Sequence, residues 1–321
     1  MKPYRAPWWL PGGHIQTLHA YLFARKPRVA YRRERWELAD GDFLDLDWVD
    51  GDAAKPLLVL FHGLEGSSRG HYALALMHAT RRLGWRGVAV NFRGCSGTPN
   101  RLPRAYHSGD SAEIDRVVRH LKSFAPSVPL YVAGVSLGAN ALLKWLGESG
   151  MAAQEVICAA AAVSAPVDLA DAGRRLDRGF NRYTYTRHFL HTLRRKALEK
   201  IAAHRLPITA RAVHAAKTLY AFDDLYTAPM HGFRDAGDYW RRASSKPWLN
   251  AIVVPTLIVH ARNDPFLSAG TYADAGQLST AITLELPDQG GHVGFVNGPF
   301  PGELTWLPNR ILDFFIQHPG G

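Results

Sequence analysis

Short apolar runs alternate along the chain with longer stretches whose apolar residues recur every three to four positions. The runs at 57–61, 88–92, 130–135, 156–163, 256–260 and 283–286 are short and rich in β-branched residues, the pattern of parallel strands covered on both faces. Two earlier segments, 35–39 and 43–49, flank the turn signal Asp40-Gly41-Asp42, and in the second Leu44, Leu46 and Trp48 alternate with Asp45 and Asp47. These two predict an antiparallel hairpin at a sheet edge, which brings the expected total to eight strands. Between the runs, Tyr72, Ala75, Leu76, Ala79 and Leu83 mark one helix. Ile114, Val117, Val118, Leu121 and Phe124 mark a second, with Asp110 and Glu113 placed to cap it. Residues 139–146 and 306–316 read as two more helices. Such alternation predicts an α/β fold with a mostly parallel sheet and flanking helices.

The alternation stops between about 165 and 250, where helical, basic and aromatic-rich sequence takes over, and it resumes at Ile252. The expected organisation is therefore a catalytic core in two parts, 1–164 and 251–321, interrupted by an inserted helical cap at 165–250. No internal repeat or low-complexity tract is seen.

Charge adds one feature to this picture. The 38 Lys and Arg against 28 Asp and Glu give a net +10, yet the segment 174–217 holds twelve Lys or Arg against only Asp177 and Glu199, so it carries the whole surplus. No zinc-finger spacing or RNP-like aromatic motif accompanies it, and nucleic acid is not an expected partner. Two readings stay open: a solvated outer face, or attraction to anionic head groups and an anionic lipid surface. Pro3, Pro7 and Pro11 break the N-terminus so that no secretory apolar core can be drawn. The longest apolar stretch, 156–165, is about half a membrane span. The expected location is the cytoplasm. Cys95 and Cys158 are too few for a disulfide framework and are expected as free thiols in buried segments.

The sharpest motif is Gly134-Val135-Ser136-Leu137-Gly138, a G-x-S-x-G between a strand and a helix. Small residues at 134 and 138 are required because a nucleophile presented on a sharp turn brings the backbone close to its neighbours. A serine hydroxyl needs a base oriented by a carboxylate, and the chain order in such folds is Ser, acid, His. His292 lies in a glycine-rich loop after the last strand, where the base belongs, and Asp264 lies in the loop beyond 256–260. Asp274 and Asp288 are rivals for the acid; the first falls in an expected helix and the second shares a short turn with His292. The oxyanion of an acyl-transfer intermediate needs two amide donors, for which the residues are Leu137 and, in the loop His62-Gly63-Leu64-Glu65-Gly66, Leu64. His62 precedes the nucleophile and is read as an anchor of that loop.

Arg93 is read as a brace between loops in preference to an anion ligand. His188 and His191 lack the partners of a metal site, and no metal or cofactor is expected. Trp8, Trp9, Trp145, Trp240 and Trp248 are candidates for an apolar acyl pocket or for plain core.

Together with Pro11-Gly12-Gly13-His14-Ile15-Gln16-Thr17, Asn91-Phe92-Arg93-Gly94-Cys95-Ser96-Gly97, Tyr106-His107-Ser108-Gly109, Asn263-Asp264-Pro265-Phe266 and Gly291-His292-Val293-Gly294-Phe295, these motifs resemble the YheT-like family of α/β-hydrolases. The resemblance implies a serine hydrolase of esterase type with Ser136, Asp264 and His292 as its triad, and related eukaryotic members act on phospholipids. The expected substrate is a small-molecule acyl or lipid-like ester. An acyltransferase using the same acyl-enzyme and a non-catalytic lipid-binding module are the alternatives.

Overall fold

Strands of five or six residues buried on both faces form the centre of the sheet in the computed structural model, which describes residues 3–273 and 278–319. In chain order the strands are β1 (Arg32–Glu37), β2 (Phe43–Val49), β3 (Leu57–Phe61), β4 (Arg86–Asn91), β5 (Leu130–Val135), β6 (Ala159–Val163), β7 (Thr256–Val259) and β8 (Ile282–Glu285). In space they run β1-β2-β4-β3-β5-β6-β7-β8, with β2 antiparallel to both neighbours and the remaining pairs parallel. This is the expected eight-stranded, mostly parallel sheet with an antiparallel hairpin at one edge.

The described helices of eight or more residues are α1 (Gly13–Leu22), α2 (His71–Arg82), α3 (Ser111–Phe124), α4 (Leu137–Ser149), α5 (Leu169–Leu176), α6 (Arg187–His204), α7 (Ala236–Ala243) and α8 (Trp306–Gln317). One sheet face packs on α3 and α4 through Ile114, Val118, Leu121, Leu142 and Trp145. The other packs on α2 and α8 through Leu76, Met77, Ile311 and Phe315. Between β6 and β7 the chain forms α5, α6, α7 and short helical turns. There Leu169, Leu190, Val213, Phe222, Tyr226 and Trp240 gather into an apolar cluster of their own. Among the described residues no helix is long and apolar enough to cross a membrane.

Three local expectations are corrected. The first strand is Arg32–Glu37, not 35–39, because it pairs with β2 from Arg32↔Trp48 to Glu37↔Phe43 and the turn already begins at Leu38. On one face of this hairpin Arg33 and Arg35 bond Asp47 and Asp45 at 2.7 and 2.8 Å, a charged ladder that a search for apolar runs passes over. The sixth strand starts at Ala159, not 156, because Val156 and Ile157 still bond back to the Ala153 carbonyl; Cys158 just before it is accordingly half-buried. Asp110 stands at the N-terminus of α3, but neither carboxylate caps it. Asp110 bonds Arg104 at 2.6 Å, and Glu113 bonds Arg93 and Arg116.

Those last bonds belong to a buried ionic knot. The Arg93 side chain is fully buried and donates to Glu113 at 2.7 Å and to Asp42 and Asp40 at 2.9 Å each, the bracing role expected for it. Burial pushes the Asp42 carboxyl up, but hydrogen bonds from Asn100, the Arg101 amide, Arg93 and the Phe43 amide outweigh it and hold the group below the usual carboxylate range. Asp47 is held low in the same way: burial opposes, and Arg33, Ser68 and Asn91 prevail. Carboxyls with depressed folded-state values stabilise the fold above their unfolded value, roughly pH 4, and lose that contribution as pH falls through the folded value. Acid unfolding should therefore set in below about pH 4. Arg93→Met leaves Asp42 buried without its cation and Glu113 with Arg116 alone, and is expected to cost about 3–5 kcal/mol. Urea unfolding should give that loss, and acid titration followed by circular dichroism should give a midpoint at higher pH than the parent's.

Candidate functional site

The turn from β5 into α4 places Ser136 at the C-terminal edge of the sheet, with φ +53° and ψ −118°. A non-glycine residue pays for such a backbone with strain, and here its surroundings hold it. The Ser136 amide bonds the Val163 carbonyl of β6 at 2.8 Å, and its carbonyl accepts the Asn140 amide at 3.0 Å. The flanking glycines are sterically required. A Cβ on Gly134 would lie 2.7 Å from the Gly138 carbonyl oxygen, and one on Gly138 would lie 2.6 Å from the carbonyl oxygens of Phe61 and His62.

His292 reaches this serine from the loop after β8. Its Nε2 is 3.0 Å from Ser136 Oγ, and its Nδ1 is 2.8 Å from Asp264 Oδ2. The carboxylate acceptor at Nδ1 fixes the proton there and leaves the Nε2 lone pair toward the serine hydroxyl. The Asp264 side chain is fully buried, and its second oxygen accepts the Phe266 amide at 2.8 Å. The Phe266 ring lies 4.3 Å from the imidazole. Of the rival carboxylates, Asp288 is exposed and pairs with Arg262, while Asp274 lies outside the described residues. Ser136, His292 and Asp264 are thus brought into one hydrogen-bonded chain.

The two expected amide donors border the same spot. In the loop after β3, the Gly63 amide is taken by Tyr72 Oη, the Glu65 amide by Tyr106 Oη and the Gly66 amide by the Gly63 carbonyl. Among the described residues the amides of Leu64 and Leu137 donate to no protein acceptor. His62 anchors the loop as expected: its Nδ1 donates to the Gly63 carbonyl at 2.8 Å and its Nε2 accepts the Phe92 amide at 3.1 Å. Burial pushes His62 down to about 4, and does the same to His71 and His260.

Ser136, Leu64, Leu137 and His292 open into a cavity of about 480 Å³. Its wall includes Leu169, Leu176, Phe189, Phe222, Trp240, Phe266 and Leu267. Of the five tryptophans considered for an acyl pocket, only Trp240 lines it. Trp145 is core, Trp8 and Trp9 border a separate surface groove, and Trp248 packs over Lys144. Asp223, in the cavity wall, is raised by burial to about 6 against hydrogen bonds from Thr227 and Trp240.

Several supporting residues escaped the sequence reading. Buried Gln16 on α1 accepts the Asn263 side-chain amide at 2.9 Å and the Gly290 backbone amide at 2.8 Å through Oε1, and donates to the Leu10 carbonyl and Gln289 Oε1. Thr17 Oγ1 accepts the His292 amide at 2.8 Å, and Asn263 Oδ1 accepts the Gly291 amide at 3.0 Å. The N-terminal helix is therefore a clamp on the histidine loop. The signal was present in Gly13-His14-Ile15-Gln16-Thr17, whose polar pair faces inward, but nothing local in sequence joins 16–17 to 290–292. Lys196 of the basic segment also turns inward, bonding Glu65 Oε1 at 2.8 Å beside the loop that carries Leu64. Lys200 likewise bonds the carbonyls of Asn100 and Leu102.

A family model described as alpha/beta hydrolase fold matches residues 56–299. The chain belongs to this family. Within it, this α/β hydrolase is 40% identical to YheT of Escherichia coli (strain K12), over 95% of its own length and 90% of that protein's. It is 30% identical to human phospholipase ABHD3, over 96% of its length and 77% of the relative's. Among solved structures, the Pyrococcus furiosus esterase Pf2001 superposes with a TM-score of 0.60 at 19% identity, over 94% of this chain and all of that one (100%). Est1E of Butyrivibrio proteoclasticus, solved with ferulic acid bound, gives 0.58 at 14% identity over 90% and 99%. At such identities the superpositions speak to the fold; the closer relatives make the chain an esterase- and lipase-like α/β hydrolase of YheT type.

Thr17→Val removes the acceptor of the His292 amide and is expected to cost about 1–3 kcal/mol, the penalty of a buried donor left unpaired. Hydrogen exchange should quicken at residues 290–292 while the β3 and β5 amides stay protected.

Proposed function

We propose that the protein hydrolyses carboxylic esters of acyl or lipid-like character through a covalent acyl-enzyme, with Ser136, His292 and Asp264 as its catalytic triad. The observation that carries this reading is the unbroken chain Asp264–His292–Ser136 opening into the cavity. In the first half-reaction His292 Nε2 takes the hydroxyl proton as Ser136 Oγ attacks the ester carbonyl, and the imidazolium then protonates the departing alcohol. In the second, His292 takes a proton from water, the hydroxide oxygen attacks the acyl carbon, and Ser136 leaves as the hydroxyl with the free acid as product. Asp264 holds the Nδ1–H tautomer and balances the imidazolium charge. The Leu64 and Leu137 amides, free of protein acceptors, are assigned to the oxyanion.

We read 165–250 as a cap inserted into the core, roofing the cavity with Leu169, Phe189 and Trp240. The apolar wall favours an acyl chain, in keeping with the lipase and phospholipase names of relatives.

Ser136→Ala should lower kcat/KM for p-nitrophenyl esters by about 10³-fold or more and abolish labelling by a fluorophosphonate. A folded wild type that neither turns over nor labels would overturn the proposal. Hydrolysis should also show an acid limb, because the mechanism needs a neutral His292. His62, His71 and His260, pushed down to about 4, stay neutral above that range and cannot produce it. Asp223 sits at about 6, so the limb must persist in Asp223→Asn. A flat profile between roughly pH 5 and 8 would count against His292 as the base.

A further inference from the structure

Helix α1 buries more polar than apolar side chains. It buries Gln16, Thr17 and His19, which hold the histidine loop and the Pro301 carbonyl, and turns Ile15, Tyr21 and Leu22 to the solvent. The exposed apolar surface continues beyond the helix. Phe23 is 65% exposed, and Phe300 73%. The rings of Trp9, His19, Phe23 and Phe300 form one connected set with centroids 5.1 to 6.2 Å apart. Trp8, at 92% exposure, shares a surface groove with Trp9 and Phe300. On the other side His14 meets Phe180 at 4.7 Å and Tyr21 meets His188 at 6.3 Å, which joins the patch to exposed Phe180.

Cations surround this surface. Lys26 lies over the Tyr21 ring. Arg178, Arg182 and Arg187 stand beside Phe180, Tyr183 and His188 in the chain, are exposed, and form no ion pair among the described residues. Arg25 and Arg28 follow α1 in the same condition. Isolated exposed apolar residues are ordinary, but a contiguous aromatic and aliphatic face rimmed by unpaired cations is not. Trp, Tyr and Phe favour the boundary between head groups and acyl chains, and Arg and Lys favour anionic head groups.

We propose that this face, formed by Trp8, Ile15, Leu22, Phe23, Phe180 and Phe300, docks the protein on an anionic lipid surface. The proposal extends the reading of a lipid-like ester substrate and gives the basic segment a partner. Only a thin wall separates the face from the cavity: Leu18 of α1 and Phe189 of α6 pack on Tyr185, Phe266 and Leu267, and Phe266 touches His292. A docked molecule would thus hold the catalytic edge of the sheet close to the lipid.

The test separates docking from catalysis by using Ser136→Ala protein, which needs no turnover to bind. Sedimentation with vesicles of equal phosphatidylglycerol and phosphatidylcholine should show binding at least tenfold stronger than with phosphatidylcholine alone, weakened by salt. The triple variant Trp8→Ser, Leu22→Ser, Phe23→Ser should lose at least tenfold in binding. In the wild-type Ser136 background the same triple variant should keep the melting temperature and the hydrolysis of a water-soluble short-chain ester. Brominated lipid should quench the fluorescence of the parent more than that of a Trp8→Ser variant. No binding to anionic vesicles, or binding that the triple variant retains in full, would overturn the proposal. So would a dimer in light scattering that the triple variant dissolves while vesicles are ignored, since the face would then belong to a second copy. Loss of esterase activity with vesicle binding intact would sink the hydrolytic reading and leave the docking face standing.

Discussion

The left-handed backbone at Ser136 is the constraint around which the rest of the site is arranged. A strand can hand over to a helix this abruptly only if the residues on either side have no Cβ to collide with, and Gly134 and Gly138 meet that condition against backbone atoms that cannot give way. The same closeness brings the end of β3 onto the start of α4, where Gly138 lies against the Phe61 and His62 carbonyls. Tight packing therefore does two things at once. It lifts the serine hydroxyl above the sheet edge, and it sets the loop amide of Leu64 beside the first helical amide, Leu137. The proposed nucleophile and the two amides assigned to the oxyanion are placed by one steric arrangement, held in turn by the ladder bond from the Ser136 amide to Val163.

His292, the proposed base, lies on a glycine-rich loop that needs support from elsewhere to hold its geometry. The fold supplies it from the opposite end of the chain. Thr17 holds the backbone of His292 itself, while Gln16 and Asn263 hold the two residues before it. Because Asn263 adjoins Asp264, the loops carrying Asp264 and His292 are tied to each other and to α1 by one polar network. This explains why α1 buries its polar side. Polar residues that would ordinarily face water are needed inside beside Ala20, and Ile15, Tyr21 and Leu22 are left outside.

How much of this could be read from the residues follows from the range of the interactions. Strands β3 and β5 fall where the apolar runs lie, because burial on both faces leaves a mark in consecutive residues, and β2 falls where apolar residues alternate with Asp45 and Asp47. The G-x-S-x-G turn is legible for the same reason, its steric demand being confined to five positions. Asp264 and His292 could be chosen from chain order and strand ends. Strand β1 was displaced because its pairing with β2 rests on Arg33 and Arg35, which look like solvent-facing residues until Asp45 and Asp47 are set opposite them. Asp110 and Glu113 had the spacing of a cap but are drawn away by Arg104, Arg93 and Arg116, partners that spacing along α3 alone could not weigh. The α1 clamp joins residues separated by more than 270 positions, and no local pattern carries that information.

The basic segment shows the same limit in its electrostatics and ties the helices between β6 and β7 to the loop that carries Leu64. Counted along the chain it is a block of like charge, and such a block reads as a solvated face. In space it divides. Arg178 and Arg187 stay outside with no ion-pair partner among the described residues, whereas Lys200 bonds loop carbonyls and Lys196 bonds Glu65. Glu65 also accepts the Tyr106 hydroxyl, and the Glu65 amide donates back to that oxygen, so the residue next to Leu64 is fixed jointly by Tyr106 and by Lys196 of α6. Burial lowers the proton affinity of Lys196, but Cys95 and Glu65 outweigh it and keep the lysine charged. Moving α6 outward would therefore leave Glu65 without its cation in a half-buried setting, beside an amide assigned to the oxyanion. The position of α6 and the geometry of that loop cannot vary independently, which makes the Lys196–Glu65 pair the physical link between the helices after β6 and the surroundings of Ser136.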